Sequence, residues 1–236
     1  MKADEDLADR LDALVLDTMP EGRKQVEELA AAVVNAGGTS EKALMEMLTN
    51  SDVELQLRLN ICWMIPRLKI AGAQKALKAL LSDPAQEIRS EAAAGLGLVA
   101  EDEAVEALLH ALETDGSDAV RSAALHGLGI RSSPRSAARI IEILQDPSQN
   151  PELRADAAEA LAHVKASPIV DALMSSLRDE SPLVRYSATY ALGEQGEARA
   201  VPQLRDIVAH DRAITPWGSV ASCALRSIES ISSRSS

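Results

Sequence analysis

Apolar side chains recur along this chain in five segments that share one spacing. In each, an aliphatic residue precedes an arginine, a small or aliphatic residue follows three positions after it, and Ile or Leu follows seven positions after it. Residues four apart lie on one face of an α-helix, so each segment predicts an amphipathic helix, which we name helix A. The five arginines, at intervals of 31, 32, 33 and 31 residues, are Arg58, Arg89, Arg121, Arg154 and Arg185.

A second helix, helix B, is predicted after helix A. Its apolar residues recur at helical spacing in four segments, which begin at Ala104, Ser136, Ile169 and Ala200. Helix A is expected to end eight positions after its arginine, where a glycine would supply the positive φ that closes a helix. The five residues at that position are Pro66, Gly97, Gly129, Ala162 and Gly193.

Aspartates mark the start of each repeat. In four repeats the aspartate lies six residues before the arginine, and these residues are Asp52, Asp83, Asp115 and Asp179. Asp146 lies eight residues before Arg154, which indicates a two-residue insertion in that turn. An aspartate followed by proline, as at Asp146, predicts that the aspartate caps the helix that follows. Self-similarity at this period is typical of stacked repeats, which bury their apolar faces against one another.

The two ends of the chain depart from the motif. Residues 1–50 are predicted to form capping helices, because terminal repeats must present a polar outer face to water. The repeats are expected to occupy 51–230, continuous with the cap in a single solenoid, and 231–236 to form a disordered tail. The segment Trp217–Leu225 matches helix A a last time, with Leu225 in a buried position and Gly218 in place of the arginine.

The composition supports helices. Hydrophobic residues make up 46% of the chain, yet aromatic residues make up 2% and there is no Phe. The core must therefore consist of Ala, Leu, Ile and Val, which suits close-packed helices better than a β-sandwich. Catalysis has no visible residues: neither an H-E-x-x-H motif nor a phosphate-binding loop is present. We expect no cofactor and no metal.

The net charge of −12 argues against nucleic acid, whose backbone is bound chiefly by Lys and Arg. The two cysteines are far apart in sequence, which gives neither a disulfide framework nor metal-ligand spacing. No apolar stretch approaches the length of a membrane span, and the N-terminus lacks the apolar core of a signal peptide. These features predict a soluble, cytoplasmic protein that binds neither a membrane nor nucleic acid.

The D-x5-R-x6-L-G pattern, followed by a short AVPxL-type helix, resembles the HEAT repeat. It is similar to the short HEAT-like type found in phycobilin-chromophore lyase subunits and many bacterial proteins. This resemblance implies an all-α fold, a right-handed α-solenoid of about seven stacked helix pairs. It also implies that the aspartates and arginines, from Asp52 and Arg58 through Asp179 and Arg185, form a structural ladder of hydrogen-bonded charges between repeats. The other interpretation of the arginine column is an anion-binding stripe.

Two surfaces are candidates for binding. The B helices would line the concave face, where an acidic strip is predicted to consist of Glu106, His110, Arg139, Glu142, Asp171, Ser175, Gln203 and Asp206. An alternative ridge on the A helices, five residues after the arginines or close by, holds Trp63, His126, Tyr186 and Tyr190. Tyrosines on an exposed ridge are typical of interaction hot spots, although packing between repeats would also explain them.

The sequence therefore predicts a non-catalytic scaffold, adaptor or inhibitor that binds a protein partner, such as one with a basic face, on its concave surface. The resemblance offers a second hypothesis, a phycobilin-type chromophore lyase subunit or a lyase-like chaperone. The scarcity of aromatic residues in the groove, where a conjugated pigment would need them, favours the first.

Overall fold

A computed structural model describes residues 2–18, 20–99, 102–164 and 167–234. The chain divides into two compact units, Met1–Ala107 and Leu108–Ser236. This division lies inside the predicted repeats and not at residue 50, because the helices before the first arginine pack with the first repeats. Helix α2, for example, packs on the first helix A.

The first unit is built of α-helices. In chain order they are α1 (Lys2–Asp17), α2 (Pro20–Asn35), α3 (Glu41–Thr49), α4 (Leu55–Arg67), α5 (Ala73–Leu80) and α6 (Gln86–Leu98), and α7 (Asp102–Thr114) contains the boundary. The A helices α4 and α6 pack against each other, and α5 packs on both. Helix α2 lies on α4, and α3 also contacts α4.

The second unit repeats this arrangement in two layers. Its elements are α8 (Asp118–Arg131), α9 (Ala137–Gln145), α10 (Pro151–Ala160), α11 (Ser167–Ser176), α12 (Pro182–Gln195), α13 (Val201–His210), β1 (Ile214–Thr215), β2 (Gly218–Ser219) and α14 (Val220–Arg234). The A helices α8, α10, α12 and α14 form one layer in which each packs on the next. In the other layer, α9 packs on α11. The fold class is therefore all-α, an α-solenoid type of stacked HEAT-like helix pairs.

The predicted buried face of helix A is confirmed. At the three apolar positions of the five A helices every residue is fully buried except Leu57, which is half-buried. The central position is alanine in four of the five helices, and a small side chain there brings neighbouring backbones close together. Burial of this stripe is the main source of stability for the stack.

The prediction that glycine ends helix A was wrong. Gly97, Gly129 and Gly193 lie inside their helices and none has a positive φ. The left-handed residue comes three positions later, at Ser132 (φ 47°) after α8 and at Gly196 (φ 70°) after α12. Gly129 instead permits close packing, since a Cβ built there would lie 2.9 Å from the Cα of Ala160 on the next A helix.

The aspartates do not cap helices directly. Each accepts a hydrogen bond at Oδ1 from the backbone N–H two residues later, at 2.9 Å, and so forms the turn that leads into helix A. In the first repeat this role belongs to Asn50, which accepts from the N–H of Asp52. Asp52 is exposed, so its assignment to the ladder was wrong. Asp211 makes the same turn in the last repeat, with the N–H of Ala213.

The last repeat differs from its prediction. Trp217 lies in a β-hairpin, where Ile214 pairs with Ser219 and Thr215 with Gly218, and the helix begins only at Val220. The shift moves Leu225 to an exposed position and buries Cys223 and Ala224. Helix α14 continues to Arg234, and Ile231 is 2% exposed, so 231–234 is helix and not a disordered tail. Residues 235–236 lie outside the described residues.

Candidate binding surfaces

The arginine column joins successive repeats within each unit. Arg58 forms an ion pair with Asp83, and Arg154 forms one with Asp179. Arg185 pairs with Asp211, at 2.7 Å from Nε to Oδ2. In each pair the arginine binds the carboxylate of the aspartate in the following repeat, not the carboxylate of its own repeat.

Arginines of this column also bind backbone carbonyls. Arg185 donates to the carbonyls of Asp179 and Glu180 at 2.8 and 3.0 Å. Arg89 donates to the carbonyls of Asp83 and Pro84 at 3.0 and 3.3 Å. The planar guanidinium group has five N–H donors, so it can bind a carboxylate and carbonyl oxygens at once. This explains why arginine recurs at this position.

The two-residue insertion before Arg154 changes the contact between Arg121 and Asp146. Gln149, which it introduces, accepts a hydrogen bond from Arg121 at 2.6 Å and donates one to Asp146 at 2.9 Å. Asp146 therefore bonds to Arg121 only through an amide. Hydrogen bonds from Gln149 and Ser148 lower the pKa of Asp146 to about 2.

Asp211 is a fully formed member of the ladder. Burial alone would raise its pKa, but the hydrogen bonds from Arg185 and from the N–H of Ala213 outweigh burial, and the pKa of Asp211 is lowered. Sequence reasoning missed this residue because no arginine lies six to eight residues after it. The signal was present, since Asp211 lies 32 residues after Asp179.

The B-helix strip lies at solvent-facing positions, but its acidic residues carry local partners. Glu142 pairs with Arg139 at 2.6 Å, and Asp206 contacts His210 at 2.9 Å. Asp171 lies 3.5 Å from Arg199, which the prediction did not include. Arg139 also lies 3.4 Å from Glu113. The arginine contacts of Glu142 and Asp171 reduce the negative charge that the strip presents to a partner.

The remaining strip residues differ in environment. His110 and Ser175 are exposed, and Gln203 is half-buried. The Oε1 atom of Gln203 is buried and has no hydrogen-bond partner among the described residues. Glu106 is exposed and belongs to the first unit, whereas the other strip residues belong to the second.

The alternative ridge contributes two tyrosines to a compact cluster in the second unit, which we name the Trp217 patch. It consists of Tyr186, Tyr190, Trp217 and Arg226. The rings of Tyr186 and Trp217 have centroids 5.9 Å apart, and Tyr186 Oη donates to the Trp217 carbonyl at 3.2 Å. Arg226 donates to Tyr186 Oη at 3.3 Å. The side chains remain accessible, as Trp217 is 56% and Tyr190 40% exposed.

The surroundings of the patch raise the pKa values of both tyrosines. Burial, together with the neighbouring Cys223, raises the pKa of Tyr186, although Arg226 opposes the shift. Burial and the charge of Glu194 raise the pKa of Tyr190. Both phenols therefore stay neutral at pH 7 and keep their O–H groups as donors.

The other two ridge residues lie elsewhere. His126 is exposed on α8. Trp63 belongs to the first unit, where the guanidinium of Arg67 lies 4.0 Å from the ring centroid. The structure thus brings together Tyr186 and Tyr190, but not the whole predicted ridge.

No reactive centre is evident in the described part of the chain. Burial raises the pKa of both thiols, Cys62 and Cys223, so neither is a ready thiolate nucleophile. Among the residues that the structure describes, no group of three or more His, Cys, Asp or Glu side chains could hold a metal ion. In those same residues, no helix has the length and apolarity needed to cross a bilayer.

Sequence comparison identifies the repeat family. A profile described as HEAT repeats matches residues 40–129, 73–150 and 137–215, which together cover most of the chain. The protein therefore belongs to the HEAT-repeat family. No curated protein sequence matches this chain.

Known structures share the fold. One engineered protein is 22% identical with a TM-score of 0.55, over 94% of this chain and 68% of that chain. A second engineered protein is 21% identical with a TM-score of 0.52, over 82% of this chain and 96% of that chain. The complex of CpcE and CpcF of phycocyanin lyase from Nostoc sp. PCC7120 gives 19% identity and a TM-score of 0.50, with 94% of each chain covered. At such identities the likeness concerns the fold alone.

Proposed function

We propose that this HEAT-repeat protein is a non-catalytic protein-binding module and that the Trp217 patch is its principal contact surface. The observation that carries the proposal is an exposed Trp217, which makes a tilted ring contact with the half-buried Tyr186 next to Arg226. Trp, Tyr and Arg are the residues most enriched among interface hot spots. Large exposed aromatic side chains that a chain otherwise almost lacks are an unfavourable choice for a surface with no partner.

The patch is already ordered before a partner arrives. Two hydrogen bonds hold Tyr186, and Thr215 Oγ1 donates to the Gly218 carbonyl at 2.8 Å within the hairpin that carries Trp217. A preformed surface loses little conformational entropy on binding, so more of the contact energy contributes to affinity.

The strip on the B helices is the weaker candidate. Arginines accompany Glu142 and Asp171, His210 accompanies Asp206, and exposed pairs of this type contribute little to affinity. The second function predicted from the sequence, a chromophore lyase subunit, has the fold likeness to the CpcE–CpcF complex as its support. No feature of the described side chains adds to it, so protein binding is the function we put forward.

The proposal is tested by comparing two sets of variants in affinity capture from the native lysate, quantified by mass spectrometry. We expect Trp217→Ala to weaken capture of a specific partner about thirtyfold, since a central hot spot contributes about 2 kcal/mol or more. The control replaces Glu142, Asp171 and Asp206 by Lys and should retain the partner. Thermal melts of both proteins establish that the fold is intact. Loss of the partner in the Lys variant, with full retention in Trp217→Ala, would contradict the proposal.

A further inference from the structure

A cleft of about 440 Å³ opens between helices of the first unit. One wall is a face of α2 that carries Val26 and Leu29, and the opposite wall is a face of α4 that carries Leu59 and Trp63. Positions three or four residues apart on each helix line the cleft, so both walls are continuous helix faces. Its volume is in the range of sites that bind small molecules or single side chains.

A carboxylate at the cleft has no direct partner. Glu91 of α6 lines it, and no hydrogen bond or ion pair from the described residues reaches its side chain. Burial raises the pKa of Glu91, although the charge of nearby Arg67 opposes the shift. A half-buried carboxylate without a hydrogen-bond donor costs stability, and such groups are concentrated at binding sites.

Arg67 is not a hydrogen-bond or ion-pair partner of Glu91. Its guanidinium lies over the Trp63 ring and donates to the Trp63 carbonyl at 2.5 Å, and it does not line the cleft. The other polar side chains that line the cleft are the amides of Gln25, Gln56 and Asn60 and the hydroxyl of Thr18, which donates to the Leu14 carbonyl. Gln56 Nε2 donates to Oδ1 of the buried Asn60 at 3.0 Å, which leaves the Gln56 oxygen as an acceptor.

The charge of the unit favours a cationic occupant. Residues 1–107 contain 20 Asp and Glu against 11 Lys and Arg, whereas residues 108–236 contain 16 against 13. A field of this sign raises the local concentration of basic segments and disfavours anionic ligands.

We propose that the cleft between α2 and α4 binds a lysine side chain of a basic segment in a partner protein. The aliphatic stem would lie between Leu59, Leu29 and Trp63, and the ammonium would pair with Glu91. An ammonium is a compact donor on a flexible stem, which suits a narrow cleft with a single carboxylate. The planar guanidinium of arginine would need a bidentate partner.

The test is a titration of the 15N-labelled full-length protein with the peptide Ac-Gly-Ala-Lys-Ala-Gly-NH2. The reporters are the two indole N–H resonances, assigned with Trp63→Phe. We expect a saturable shift of the Trp63 indole and no shift of the Trp217 indole. The norleucine analogue, which keeps the stem without the charge, should bind about tenfold more weakly, as expected for one charge-assisted hydrogen bond.

The matched variants are Glu91→Gln and Glu87→Gln, which each remove one negative charge from α6. Glu91 lines the cleft, whereas Glu87 is exposed outside it. We expect about tenfold weaker binding for Glu91→Gln and unchanged binding for Glu87→Gln. Equal affinity of the norleucine peptide, unchanged binding by Glu91→Gln, parallel shifts of both indoles, or no shift at millimolar peptide would each overturn the proposal. The outcome is independent of the Trp217 patch, because that surface lies in the other unit and its variants are different.

Discussion

The turn aspartates combine two tasks in one side chain. One carboxylate oxygen closes the turn before helix A, and the other can accept from an arginine of the preceding repeat, as Asp83 does for Arg58. Asn50 performs the first task without a charge. Asn50 shows that asparagine is compatible with this turn. An Asp→Asn substitution is therefore expected to remove the charge and keep the turn.

We predict that Asp211→Asn lowers the free energy of unfolding at pH 7 by about 1–3 kcal/mol, because Arg185 loses a charged partner in a mostly buried site. The folded-state pKa of Asp211 is lowered, so this stability is present above the unfolded pKa of about 3.9 and is lost as the pH falls through the folded pKa. Urea unfolding at pH 7 and pH 3 measures both effects.

The control for this pair is Asp206→Asn, which removes an exposed carboxylate on the adjacent helix and should change stability little. A difference between wild type and Asp211→Asn that stayed constant from pH 7 to pH 3 would rule out the ionised pair as its source.

Close contact between A helices depends on residues that lack side-chain bulk. Gly193 of α12 faces Ser227 of α14, where a Cβ would lie 2.6 Å from Oγ, 2.8 Å from Cβ and 3.0 Å from Cα. Ser227 is itself fixed, because its hydroxyl donates to the Thr189 carbonyl at 3.0 Å. The glycine that resembled a helix terminator is thus an interhelical contact point.

We predict that Gly193→Ala destabilises the protein by about 1–3 kcal/mol, since α12 and α14 must separate to admit the methyl group. Gly116→Ala is the matched control, because no atom lies within 4 Å of a Cβ at that position and its φ is not positive. It should be neutral or slightly stabilising. Thermal unfolding of the two variants side by side makes the comparison, and equal melting temperatures would refute the packing argument.

The two units differ in charge far more than in architecture. Most of the net charge belongs to residues 1–107, and like charges in one compact unit repel one another. Each unit contains a single tryptophan, Trp63 in the first and Trp217 in the second. Repeat proteins need not unfold in one step, because each repeat contacts only its neighbours.

We predict that the first unit unfolds at a lower urea concentration than the second and gains more stability from added salt, which screens the repulsion. Fluorescence of Trp217→Phe reports the first unit, and fluorescence of Trp63→Phe reports the second. Coincident transitions with equal salt dependence in the two variants would show that the charge difference has no consequence for stability.

The sequence by itself determined the repeat period and the buried stripe of helix A. Both follow from local rules, because an apolar spacing of four residues defines one face of a helix whatever packs against it. The repeat period also identified the arginines of the column and most of the turn aspartates.

Only the tertiary structure decided which groups meet. Arg154 pairs with the aspartate 25 residues later, Tyr186 meets Trp217 across 31 residues, and Glu91 reaches a cleft formed by two other helices. Such contacts depend on the distance and rotation between neighbouring helices, which are set by side-chain packing. For the same reason, the period could not distinguish Asn50 from Asp52 or place Trp217 in a hairpin. A shift of two or three residues is invisible in a 31–33-residue repeat, but it decides which atoms are within hydrogen-bond distance.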